Sequence, residues 1–380
     1  MRQSSRKRFR GACMYTNGHV KQFQLVKQQL AVTEAKAFSQ PALFTLLRKI
    51  GYIQLDSINV TNARSQDIFL WSRFKDYQNT GYVDAYTEGD AVEVYLNALS
   101  LMLKDSQLVQ NLRRMNLATL QNDVNYPDYI KIYRQLIQVG RVYKKDFVTN
   151  HNLPQWEMSK EDNAIDKLWR AGLIDIQRDR SFRKILIAAK DDFDDSPADV
   201  NELEKQVYAD LILLTFNNLG IATKKDVFNG AHFRKRLFDS VFDELLKEKQ
   251  ITNITVEGQD HYILASDLDA FHHNDILPNM GTLLTPFDNL IRDRARTLRL
   301  FGINYKLESY TPTADRKLGY FALPILIHSD IVGTVDLRFD RARKQLGVNR
   351  LVWKNEMMNH HENKAILDDI LQRFTDFIRR

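Results

Sequence analysis

The 380-residue chain carries 54 Lys and Arg against 48 Asp and Glu, a formal charge of +6, with 44% apolar and 27% charged residues. This is globular composition, which excludes collagen-like, low-complexity and disordered classes, and the longest apolar runs, such as Leu211 to Leu214, fall far short of the roughly 18 residues that span a bilayer. A single cysteine, Cys13, excludes an intrachain disulfide framework and a thiolate zinc cluster, so a reducing, cytoplasmic compartment is expected.

The charge is unevenly placed. Seven cations precede the first acid, Glu34, and the remaining 47 face 48 acids over residues 34–380. Net charge is therefore a poor argument for nucleic acid, and a polyanion site has to come from local clustering. Residues 1–27 read as a basic N-terminal tail.

Next comes a unit over 28–128. Residues 41–50 are expected to be helical and to end at Gly51, with Tyr52–Asn59 and Asp67–Arg73 as two strands around Thr61 to Ser65. Residues 82–138 are expected to be helical. An internal repeat follows: Gly140-Arg141-Val142-Tyr143-Lys144-Lys145-Asp146 recurs as Gly220-Ile221-Ala222-Thr223-Lys224-Lys225-Asp226. Each copy follows one amphipathic helix and precedes another. In the first, Ser159 with Asp162 reads as a capping box, Ile165, Leu168 and Trp169 as the buried stripe, and Gly172 as the stop. In the second, Leu203, Val207, Leu211 and Leu214 line one helix, and Leu237 through Leu246 carry the next stripe.

Both copies then run into hairpins, Leu173–Arg178 with Arg183–Ala188 and Ile251–Val256 with His261–Ala265. Helix, short helix, helix and hairpin is the pattern of a winged helix-turn-helix, here placed at 129–195 and 196–270, with 28–75 as a looser third copy. The acidic run Asp191 to Asp195 reads as a solvated linker. From about 280 to 355 the period changes to that of a small antiparallel sheet or barrel, with strands at 303–310, 318–327, 331–339 and 346–353, and a final helix occupies 356–378 within the closing segment 356–380.

No phosphate-binding glycine loop, His-Glu-x-x-His or Gly-x-Ser-x-Gly elbow is present, which removes several enzyme classes. No cofactor and no metal is expected. Tandem winged helices suit duplex nucleic acid, with Lys144, Lys145 and the wing cations Arg178, Arg180 and Arg183 reaching phosphates, although such modules also serve as protein-interaction units. Two segments carry more. In Gln54-Leu55-Asp56 an amide and a carboxylate share one strand face with Leu55 turned inward, the arrangement a water-positioning site needs, while a solvated strand face accounts for the same pattern. Residues 288–306 hold five cations and two acids, so phosphate contact or ion pairing with Asp288 and Asp293 is expected.

The strand Ile53–Asn59 with Leu70-Trp71-Ser72-Arg73, the string Pro286-Phe287-Asp288-Asn289-Leu290-Ile291-Arg292-Asp293-Arg294, Leu300 to Tyr305, and Gly319-Tyr320 with Leu323 to Leu326 and Val332 to Asp336 together resemble the crosslink-repair DNA glycosylases, the bacterial AlkZ/YcaQ-like family. The likeness runs from about 28 to 355. It implies an α+β fold of three tandem winged helices plus a C-terminal β-barrel-like element, arranged as a C-shaped clamp. It also implies hydrolysis of N7-alkylated purines and unhooking of interstrand crosslinks in double-stranded DNA, by a cytoplasmic, nucleoid-associated monomer; no lysine lies beside Gln54 and Asp56, so a monofunctional enzyme that forms no Schiff base is expected.

Gln54 and Asp56 match the family's catalytic Gln-x-Asp form, in which they position and activate water. Arg64, Arg73, Asn289, Arg292 and Arg294 carry over as DNA contacts. The chain departs from the family at Gln66 and Asn97, where relatives are expected to have histidine. A non-catalytic winged-helix DNA-binding regulator is the alternative reading.

Overall fold

The computed structural model describes residues 15–31, 36–87, 89–148, 159–189, 199–273 and 281–379. Within them the fold is mixed, with helices surrounding small sheets that are almost all antiparallel. No described helix is long and apolar enough to cross a membrane. The acidic run 191–195, Cys13 and the arginines before residue 15 lie outside the described residues.

Among the described residues the first helix is α1 (Asn17–Lys27), in the part of the expected basic tail that the structure describes. The tail reading counted cations and passed over Val20, Phe23 and Leu25, which are all buried. Gln24 and, just past the helix end, Gln28 are fully buried too and donate to Ile221 O and Asn218 O. A helix carrying that much apolar surface stabilises the fold only by docking, and it docks on the second copy of the repeat.

Ser39 caps α2 (Gln40–Ile50), and Gly51 ends it at φ +84°. The chain then forms β1 (Ile53–Gln54), much shorter than the strand expected over 52–59. The second expected strand is a helix, α3 (Ser65–Trp71). A short apolar run is compatible with a buried strand or a buried helix, and here Ser65 through Leu70 are all buried. The helical reading of 82–138 also fails in part. Ala91–Tyr95 and Leu99–Leu103 are a hairpin, β2 and β3, and β3 pairs with β1 on its other edge. Helices resume with α4 (Gln107–Gln121) and α5 (Tyr126–Val139).

The two repeat copies share one strand order. In the first, β4 (Arg141–Tyr143), α6 (Lys144–Phe147) and α7 (Lys160–Arg170) lead to β5 (Ile174–Arg178) and β6 (Lys184–Ala188), with β6 central in the sheet. Ser159 accepts the Asp162 N–H, as the capping box requires. In the second, α8 (Val200–Leu219), β7 (Ile221–Ala222), α9 (Lys224–Asn229) and α10 (Lys235–Lys247) lead to β8 (Ile251–Val256) and β9 (Gln259–Leu264), with β9 central. The hairpin turns at Glu257-Gly258, both at positive φ, the geometry of a two-residue type I′ turn.

The C-terminal part is one antiparallel sheet of β10 (Thr282–Leu283), β11 (Ala322–Ile327), β12 (Asp330–Asp340) and β13 (Gln345–Trp353), in that order. Residues 303–310, expected as a strand, form none. Glu308 instead accepts the backbone N–H groups of Leu318 and Gly319, and Tyr305 donates to Ala322 O, so this stretch is fixed by side chains. Between them, α11 (Arg294–Phe301) is capped by Asp293, whose side chain accepts the Arg296 N–H. The last helix, α12 (His361–Arg379), buries Leu367, Ile370, Phe374 and Phe377. These residues share one core with the 43–103 region and with β11 and β12. The segment carrying Gln54 and Asp56 is thereby fixed to the C-terminal sheet.

Candidate active site and nucleic-acid interface

From Tyr52 to Asp56 burial alternates: Ile53 and Leu55 are buried, while Tyr52, Gln54 and Asp56 are half-exposed on the other face. The inner pair packs into the core shared with α2, α3 and the last helix. One edge of the strand is held by β3, through the Gln54–Ser100 pair and the Leu55 N–H bond to Leu99 O. Downstream, Phe339 N–H donates to Val60 O and Arg341 to Asn59 O. The polar row is thus clamped between the 91–103 hairpin and the C-terminal sheet, a rigid seat for a site.

Asp56 Oδ1 accepts the Ile58 N–H at 2.8 Å, and no described cation pairs with the carboxylate. Burial pushes its pKa above the ordinary aspartate value, and the Ile58 bond offsets only part of that rise. Asp56 is thus a partly desolvated acid. The Gln54 amide takes no hydrogen bond among the described residues, which leaves donor and acceptor for a water or a sugar oxygen.

Gln66, at the start of α3, is fully buried. Its Oε1 accepts the Asp56 N–H at 3.1 Å, and its Nε2 donates to Tyr82 Oη. Sequence reading noted Gln66 only as a departure from relatives, whereas it sets the Asp56 backbone. Beside it Asp67 accepts the Tyr77 hydroxyl and the Thr80 N–H. Burial raises the Asp67 pKa to about 6, against these hydrogen bonds and the Arg64 charge. The other expected departure, Asn97, lies in the β2–β3 turn and donates to Gly230 O.

The expected DNA contacts divide sharply. Arg73 is 3% exposed; it forks onto Asp288 at 2.9 and 3.2 Å, donates to Gln28 O and lies 3.5 Å from the Phe69 ring centroid. Arg178 is 6% exposed and forks onto buried Glu93 at 2.6 and 3.0 Å, and the Tyr86 hydroxyl also donates to Glu93. Neither guanidinium is free for a phosphate, which corrects those two assignments: a buried arginine needs its counter-charge, and each has one.

Arg64 is half-buried over the Phe182 ring, and Arg178 lies over the same ring. The two arginines thereby seat the tip of the 174–188 hairpin beside α3. Arg180 forks onto Asp84, and Arg183 pairs with Asp179, both exposed. Lys144 pairs with Asp162 at 2.5 Å, while Lys145 is exposed and has no partner among the described residues.

In the 286–299 stretch, Asn289 is buried and donates to Tyr52 O; Arg292 donates to Tyr52 Oη. These two bonds tie the segment to the head of the Tyr52–Gln54–Asp56 row. Arg294 is exposed without a described partner. Arg299 forks onto Asp226, joining α11 to the second repeat copy.

One cluster escaped sequence reading. Residues 338–350 contain five cations and one acid, a denser excess than 288–306. Arg338, Arg341 and Arg350 are exposed on β12, β13 and their turn, and together with Arg316 they line a cleft of about 550 Å³ that reaches Asn59 and Val60. The signal was in the charge pattern, but the strand alternation drew attention to the fold instead. Among the described residues no group of three or more His, Cys, Asp or Glu could hold a metal.

A half-buried carboxylate and a free amide on one fixed segment, with cationic side chains to either side, can orient and polarise water next to a polyanion. Comparisons with known proteins agree with this class. The sequence model of the family described as DNA glycosylase AlkZ-like matches residues 47–377. The chain belongs to the AlkZ-like DNA glycosylase family, which makes it a DNA glycosylase of repair with DNA as its substrate. Among solved structures, the Streptomyces sahachiroi DNA glycosylase AlkZ superposes with a TM-score of 0.61 over 96% of this chain and 97% of that one. At 11% identity, that likeness speaks for the fold alone.

Proposed function

We propose that this enzyme hydrolyses the N-glycosidic bond of N7-alkylated purines in duplex DNA and unhooks interstrand crosslinks, with Asp56 and Gln54 as its catalytic pair. A purine alkylated at N7 is already cationic, so its departure needs little help from a general acid. The remaining task is to stabilise positive charge developing at C1′ and to deliver a water there. The Asp56 carboxylate serves both ends, by field and by accepting a water proton. The Gln54 amide, two residues before Asp56 on the same half-exposed face, orients that water or the sugar. The observation that carries this reading is Asp56 itself: half-buried, bonded to one N–H and without a cation partner.

Two repeat copies built as helix, short helix, helix and hairpin support reading them as winged-helix modules, with the 28–128 unit as a third and the 282–353 sheet as the barrel-like element. A C-shaped clamp of these parts would present the polar row to a groove without extracting the base, as a purine tethered to the opposite strand requires. The phosphate contacts we assign are Lys145, Arg294 and the exposed arginines of 338–350, with Arg180 and Arg183 available if their surface pairs open. No lysine lies between Lys49 and Lys75 in sequence, in keeping with a monofunctional hydrolase that forms no Schiff base.

The test compares undamaged duplex with duplex treated with a nitrogen mustard. Heat- or alkali-labile abasic sites should appear only in the treated DNA, with strand separation restored in crosslinked molecules. Binding to both DNAs with no base release would favour a non-catalytic regulator instead.

A further inference from the structure

β1 is an edge strand of its sheet, and its ladder ends at Gln54. Two residues on, the Asp56 N–H takes a side chain in place of a partner strand: Gln66 Oε1 from α3, at 3.1 Å. A backbone N–H can only donate, so the Gln66 amide has to turn its oxygen toward Asp56 and its nitrogen away. That nitrogen donates to Tyr82 Oη at 3.1 Å. Gln66 and Tyr82 are both fully buried, and at low local dielectric such bonds hold their geometry firmly.

Tyr82 stands in the short helical turn Gly81–Val83, entered through Thr80 at φ +66°. The Thr80 N–H donates to Asp67. Consecutive residues of α3 therefore hold both ends of one chain of contacts: Gln66 holds the Asp56 peptide, and Asp67 holds the turn that carries Tyr82. On the far side of Asp56, Oδ1 accepts the Ile58 N–H. With the peptide fixed by Gln66 and Oδ1 by Ile58, the direction of the remaining carboxylate oxygen is set from two sides.

We infer that Gln66 and Tyr82 are positioning residues of the hydrolytic site, acting through the Asp56 backbone while buried away from the DNA. The inference rests on the reading of Asp56 as the base. Tyr82 selects the amide orientation of Gln66, and Gln66 supplies the acceptor that an edge strand lacks just where the carboxylate has to be aimed. A misplacement on the order of 1 Å at a reacting group can cost about 10²-fold in rate, so the loss of this one acceptor should appear in catalysis.

The experiment measures single-turnover base release from duplex carrying one N7-methylguanine, with enzyme titrated to separate the maximal rate from the half-saturating concentration. Gln66→Met, similar in length but without the acceptor, should lower the maximal rate about 10–10²-fold and leave half-saturation within about twofold. Tyr82→Phe should lower the maximal rate about fivefold, the equivalent of one buried hydrogen bond. Because Tyr82 acts through Gln66, the double variant should be no more than about twofold slower than Gln66→Met alone. A wild-type maximal rate in folded Gln66→Met, a loss confined to half-saturation, or losses that multiply in the double variant overturn the inference. If Gln66→Met does not melt cooperatively, Tyr82→Phe decides, and a wild-type maximal rate there overturns it. No release by wild type, or release by Asp56→Asn at the wild-type rate, overturns instead the reading of Asp56 beneath it.

Discussion

Asp56 and Asp288 stand in the two segments that most distinguish this chain, and the fold gives them opposite work. Asp288 is fully buried, and the forked guanidinium of Arg73 takes both its oxygens. Asp56 is half-exposed, keeps one oxygen for a backbone N–H, and meets no cation among the described residues. The first acid is neutralised by the fold and locks the 286–299 segment to Arg73, just past the end of α3. The second is left unpaired on a segment that the first helps to hold. Residue type alone does not separate a buried keystone from a carboxylate left without a counter-ion; the fold does.

The sharpest way to break that comparison is to remove the counter-charge. Arg73→Ala strands Asp288 without its partner in the core and should cost about 3–5 kcal/mol, read as a lower urea midpoint. A loss under 1 kcal/mol would show that water reaches Asp288. The opposite sign is expected at Asp67, whose pKa is raised to about 6 by burial. Its ionised form is disfavoured in the fold, so this acid lowers stability progressively as pH rises from the unfolded value near 3.9 through 6, and the full cost remains above 6. Asp67→Asn keeps an acceptor for Tyr77 and Thr80 and should raise stability at pH 7.5 by about 1–3 kcal/mol, with the gain vanishing near pH 4. Melting curves at the two pH values check it.

The acid limb of the base-release profile sharpens the Asp56 side. The carboxylate form is the active one and its pKa is raised by desolvation, so the rate should fall as pH drops through a value above the ordinary ~3.9 of aspartate. The smallest effects belong to the exposed cations. Lys145→Ala and Arg294→Ala should each lower the slope of log K against log salt by about one, whereas a conservative Arg178→Lys should leave that slope unchanged while weakening the fold.

The repeat was legible because Gly-x-x-x-Lys-Lys-Asp recurs at a fixed offset between amphipathic helices, and both hairpins fell where the turns and alternation placed them. The polar pair was legible as a pattern and gained its meaning from the resemblance. What stayed hidden was tertiary. Nothing local tells Ser65–Trp71 from a strand, since a fully buried run has no amphipathic period. Nothing local assigns Glu93 to Arg178 across 85 residues or Asp288 to Arg73 across 215, and those distant acids are what withdrew two arginines from the DNA surface. Gln66 was visible as a substitution, but its bond to the Asp56 N–H required the helix that replaced the expected strand.

The central claim is tested most directly by single-turnover base release from N7-methylguanine duplex by Asp56→Asn, measured alongside its melting temperature. The amide keeps the acceptor for Ile58 and lacks the charge, so release should fall about 10²–10⁴-fold while the melting temperature holds or rises. Release at the wild-type rate from the folded variant would contradict the assignment of Asp56 as the base.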